Sequence, residues 1–218
     1  MKQRTRSPHL SSLVFLSFLL TIARGLPIYG QASVRPEIEP YLSFIKAQNM
    51  SASDYVLRLF DKYDIVVLCE RMHTDMTQYD LILEIIRDPR FIRGVGNVFT
   101  EVGVCNLRPE VYDLLHSSGL SPDSLNRSII HLQRNCSFYP LWDNTNYSYF
   151  VHGLYDLSSK LPKEKRINLY PSDISFDWST TDDMKLKEFW TNLEYRDSLI
   201  ALNVIRTLDS LRSSGAAR

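Results

Sequence analysis

Three cysteines, Cys69, Cys105 and Cys136, are too few for a disulfide framework, leaving either three free thiols or one bridge with a thiol to spare. A Cys69–Cys105 bridge is conceivable because both follow expected strands, but buried free cysteines are the simpler reading. Charge of either sign is missing in excess: 25 basic residues balance 25 acidic ones, and no Lys/Arg run marks the body of the chain. Nucleic acid therefore has no electrostatic footprint here. The sequence has no Gly-x-Ser-x-Gly elbow for a serine nucleophile, no glycine-rich phosphate loop and no His-Glu-x-x-His zinc motif. Glu-x-x-His occurs once, as "ERMH", whereas a di-metal helical site needs a second copy. Repeats and low-complexity stretches are absent too. Neither a metal nor a cofactor is expected, and the partner is a small-molecule substrate.

Long hydrophobic runs are also lacking. The longest, Leu10 to Ala23, has 14 residues and is closed by Arg24, short of the about 20 that span a bilayer. Lys2, Arg4 and Arg6 precede it, and the small residues Gly30 and Ala32 follow at signal-peptidase positions. Residues 1–32 are expected to be a signal peptide cleaved after Ala32. The rest is then exported, periplasmic or extracellular, with no stable membrane span. Residues 33–53 form a lead-in segment, and 54–218 one domain.

What is present alternates in period. "DIVVLCE" (64–70) is a short apolar, β-branched run, expected to be a strand buried on both faces. "DMTQYDLILEIIRDP" has Asp75 to cap a helix, Gln78 three residues on, one face of Tyr79, Ile82, Leu83 and Ile86, and Pro89 to stop it. "GNVFTEVGV" (96–104) is the next strand, which makes a βαβ unit with parallel strands. Helices follow over "RPEVYDLLHSSG", "SPDSLNRSIIHLQRN" and about 146–161, then a third strand over 166–176 with Asp173 near its end. From Thr181 to Leu211 a long helical stretch carries Met184, Leu193, Ile200, Val204, Leu208 and Leu211 roughly in phase. The expected fold class is α/β: a mainly parallel sheet flanked by helices, incomplete at the C-terminus because no strand follows the last helix.

In such a sheet, catalytic groups gather outside the carboxyl ends of the strands. Glu70 ends the first strand and Glu101 lies near the end of the second, so adjacent strands about 4.8 Å apart would bring both carboxylates to one edge. His73 follows in the loop into a helix, where the carboxylates can orient its imidazole and raise its basicity. Arg71 is a candidate anion contact beside them. His116, His131 and His152 lie on helical stretches without such company.

Four segments, "IVVLCERMHTDMTQYDLILEII", "VFTEVGV", "INLYPSDI" and "YRDSLIALNVI", resemble in that order the erythromycin esterase-like proteins, relatives of the haem-uptake ChaN and the Tiki/TraB proteins. The resemblance covers about residues 54–213 and the N-terminal half of the family pattern. It implies a hydrolase of ester-type bonds in which His73 is the general base that activates water, with Glu70 and Glu101 as its carboxylates. It also implies that Asp173, Arg196 and Asn203 serve in substrate binding. Arg196 and Asn203 are seven apart, so they share a helix face independently of the resemblance. Cys69 and Thr74 stand where the family has glycine. The alternatives are a non-catalytic ligand-binding protein of the haem-uptake kind and an inactive remnant of the family.

Overall fold

A computed structural model describes residues 35–70, 72, 75–136 and 145–215. The expected signal peptide, Arg71 and His73 lie outside the described residues. The chain divides into two units, one ending at Asn49 and one running from Met50. In the first, helix α1 (Glu39–Ala47) carries Pro40 in its first turn and buries none of its residues.

The second unit has the element order α2 (Ala52–Leu59), α3 (Met76–Arg87), α4 (Pro89–Gly94), β1 (Asn97–Val104), α5 (Arg108–His116), α6 (Pro122–Arg134), α7 (Thr145–Ser158), β2 (Asn168–Asp173), α8 (Asp183–Leu193) and α9 (Arg196–Ser213). The helix starts follow local chemistry. Ser51, Asp75, Asp88, Ser121 and Asp182 each accept a backbone N–H of the first turn, satisfying a donor that the helix itself cannot. Pro89 ends α3 and opens α4, since a ring without an N–H fits the first helical turn.

The fold is mixed α/β, with a small parallel sheet flanked by helices. Its strands are β1 and β2, paired from Asn97↔Asn168 to Val104↔Asp173. The facing pair Phe99 and Tyr170 stacks with ring centroids 5.0 Å apart, a cross-strand aromatic contact of the kind that fixes register. Between Thr100 and Val104 the ladder is interrupted. Gly103 sits at this bulge with φ +97°, and a Cβ there would come 2.9 Å from the Pro171 Cβ. Glycine is needed on both counts.

Around the sheet, α5 and α9 pack on β2, while α7 packs on α3, α5 and α6. The core includes Leu83 and Ile86 of α3, Val111 and Leu115 of α5, Ile129 of α6 and Phe150, Val151 and Leu154 of α7. Gly153 lets α3 and α7 approach closely, because a Cβ there would lie 2.7 Å from Leu83 Cδ1. Among the described residues no helix is long and apolar enough to cross a membrane.

Three expectations are corrected. Residues 65–70 form no strand and pair with none among the described residues, and Val67 is 77% exposed. The parallel partner of β1 is β2 instead. Strand propensity favours extended backbone, but the neighbour that completes a ladder is a tertiary matter, and it overrides composition here. The stretch 181–211 is two helices, broken at Glu194 and Tyr195, and the phased residues of α9 are only half-buried. All three thiols are free: Cys136 is buried, Cys105 half-buried and Cys69 exposed, so Cys69 is not the buried cysteine expected.

Candidate functional site

Parallel pairing brings the carboxyl ends of β1 and β2 to one edge, where Arg196 meets Asp173 and Glu101. Asp173 is the last residue of β2 and is 1% exposed. A carboxylate so buried needs compensation, and it finds a guanidinium from the first turn of α9. Arg196 Nε donates to Asp173 Oδ1 at 2.9 Å and Nη2 to Oδ2 at 3.1 Å, a two-point fork. The Ile174 N–H adds a bond to Oδ1 at 2.8 Å. The third arm of Arg196, Nη1, donates to Glu101 Oε1 at 2.8 Å. One arginine thus joins the ends of both strands. Burial alone would make its proton easier to lose, but the hydrogen bonds to Asp173 and Glu101 outweigh burial and hold the guanidinium more firmly charged than usual.

α9 is seated by polar contacts. Asn203 Nδ2 donates to the Ser172 carbonyl at 3.1 Å, and Thr207 receives Arg108 Nη1 at 2.7 Å. Arg108 Nε also reaches the Pro171 carbonyl at 2.8 Å. Asn106 continues the ladder beyond the strands, because its side chain gives to and takes from the Phe176 backbone, both at 3.0 Å. Cys105, its thiol pushed up by burial, lies beside Arg108, Asp173 and Asn203.

Glu70 arrives by a different route from the strand end expected for it. Gln78 Nε2 and the Tyr79 hydroxyl, neighbours on α3, both donate to Glu70 Oε1, at 2.7 and 3.3 Å. Tyr79 is buried, and its phenol is pushed well above its ordinary value first by burial and then by the charge and hydrogen bond of Glu70. Glu70 is therefore tied to α3 by two hydrogen bonds even though residues 65–70 form no strand.

Of the residues expected in the site, Arg196 is in direct contact with Glu101 and Asp173, Asn203 holds the backbone next to Asp173, and Glu70 is held apart from them by Gln78 and Tyr79. Asp173 is too buried to meet a ligand by itself, and Arg196 is engaged by two carboxylates. Both therefore build the site more than they face a substrate. Arg71 and His73 lie outside the described residues. Gln78 and Tyr79 were not singled out as site residues in the sequence. Gln78 reads there as a capping-box residue and Tyr79 as one of four apolar positions on a helix face. The available signal was the phenol itself, a polar tip on a buried face that needs a partner. Among the described residues no group of three or more His, Cys, Asp or Glu side chains could hold a metal ion. Comparison with protein-family models, with curated proteins and with solved structures gives no match for this chain.

Proposed function

We propose that the chain is an exported hydrolase of ester-type bonds, built like the erythromycin esterase-like proteins that its motifs resemble. The observation that carries this reading is the convergence of Glu101 and Asp173 on Arg196 at the carboxyl edge of the parallel sheet, with Glu70 held separately by Gln78 and Tyr79. In this reading His73 takes a proton from water, and the hydroxide formed adds to the ester carbonyl. As the tetrahedral adduct collapses, the proton goes to the departing alkoxide, giving a carboxylic acid and an alcohol. Glu70 and Glu101 orient the imidazole and stabilise its charged form. Arg196 braces Glu101 in the free protein and becomes a contact for the oxyanion or a substrate anion only if Glu101 yields.

A panel of chromogenic esters tests this with the full chain. The reading expects turnover that vanishes in His73→Ala while the thermal melt is kept. Absence of turnover together with a Soret shift on haem titration would replace it with the ligand-binding alternative.

A further inference from the structure

We infer that Gln78 and Tyr79 form a positioning brace for Glu70, with Tyr79 its buried anchor; the assignment rests on the hydrolase reading for its function but not for its geometry. Two adjacent residues of α3 reach back across the loop and converge on a single oxygen, Glu70 Oε1. Gln78 Nε2 also donates to the Met72 carbonyl at 3.1 Å, and the Asp75 N–H donates to that same carbonyl at 3.0 Å. One amide thus ties the Glu70 carboxylate to the backbone immediately before His73.

Tyr79 is itself held from behind. Its ring packs on Phe150 with centroids 5.7 Å apart, and its hydroxyl donates to Glu70. Because burial and the Glu70 charge keep that phenol protonated far into the alkaline range, it remains a donor wherever an ester hydrolase works. A carboxylate fixed by two donors loses rotational freedom before substrate arrives, which is the condition for orienting a base. Tyr79 acts through Glu70 and is a positioning residue.

The test uses the full chain and reads two signals. In protein carrying ¹³C at the glutamate side-chain carboxyls, the Glu70 resonance is identified by its loss in Glu70→Gln. It should move in Tyr79→Phe, which keeps the ring packing, and in Gln78→Ala. It should stay in place in Tyr155→Phe, where the lost hydroxyl serves the Leu120 N–H instead. With the best ester, Tyr79→Phe should lower kcat by about 10²-fold with KM little changed, the signature of a misplaced group and not of lost binding. An unmoved Glu70 resonance in both brace variants overturns the proposal. So does a moved resonance with unchanged kcat. A wild type that hydrolyses none of the esters contradicts the hydrolase reading instead, and the resonance alone then decides whether the brace exists.

Discussion

Arg196 grips Asp173 at two points, Nε to Oδ1 at 2.9 Å and Nη2 to Oδ2 at 3.1 Å, where Asp173 is 1% exposed and Arg196 only 16%. Taking away the cation strips both arms of that fork from a buried carboxylate. Arg196→Met should therefore destabilise the fold by about 3–5 kcal/mol. Arg196→Lys, which supplies charge without the fork, should lie in between. Urea midpoints of the two variants against wild type check the order.

The bulge that carries Glu101 depends on Gly103. Gly103→Ala forces a side chain into a positive-φ position and against Pro171. A loss of about 1–3 kcal/mol is expected, measurable as a lower urea midpoint. Because the strained residue lies two positions from Glu101, ester turnover should fall as well.

Acid should loosen the contact between α2 and α4. Hydrogen bonds from the Arg90 side chain, then its backbone N–H, hold the Asp88 carboxyl down to about 2, and Arg90 likewise lowers Asp54. A carboxylate depressed in the folded state contributes stability above its unfolded value near 4, and that stability is lost as pH falls toward 2. Arg90→Met should flatten the melting temperature between pH 4 and pH 2, while wild type declines more steeply over that interval. All three groups are reached by solvent, so the effect is small and weakens with salt.

The thiols should separate by reactivity. Burial pushes Cys136 up to about 12, and Cys69 is exposed. Native protein mixed with a disulfide reagent at neutral pH should release one thiol quickly, lost in Cys69→Ser, with Cys105 slower and Cys136 reacting only on unfolding.

Much of this architecture could be read from the residues. Asp75, Ser121 and Pro89 set helix ends through backbone chemistry that acts over three or four residues, so a linear reading finds them. The strands over 97–104 and 168–173 and the place of Asp173 at a strand end were legible as apolar runs. Residues 64–70 have the same composition yet form no ladder, because pairing is decided by a distant neighbour and not by the run itself. The break at Tyr195 was missed since nothing local, neither proline nor glycine, marks it. Glu101 and Arg196 are 95 residues apart in sequence. Their meeting was suggested by resemblance and family order and by no local signal. Tyr79 was legible only as part of a buried face, because its hydroxyl has meaning only once Glu70 is placed beside it.

The central claim is that Glu70 and Glu101 serve one site. The direct measurement is a double-mutant cycle on kcat/KM for the best ester, with Glu70→Gln, Glu101→Gln and the double variant, each checked by its melt. Groups that act together lose most of the activity at the first substitution, so the account predicts strong non-additivity, the double variant lying within about tenfold of the worse single variant. Two losses that simply multiply would show that the carboxylates act independently, and would contradict a single site at this edge of the sheet.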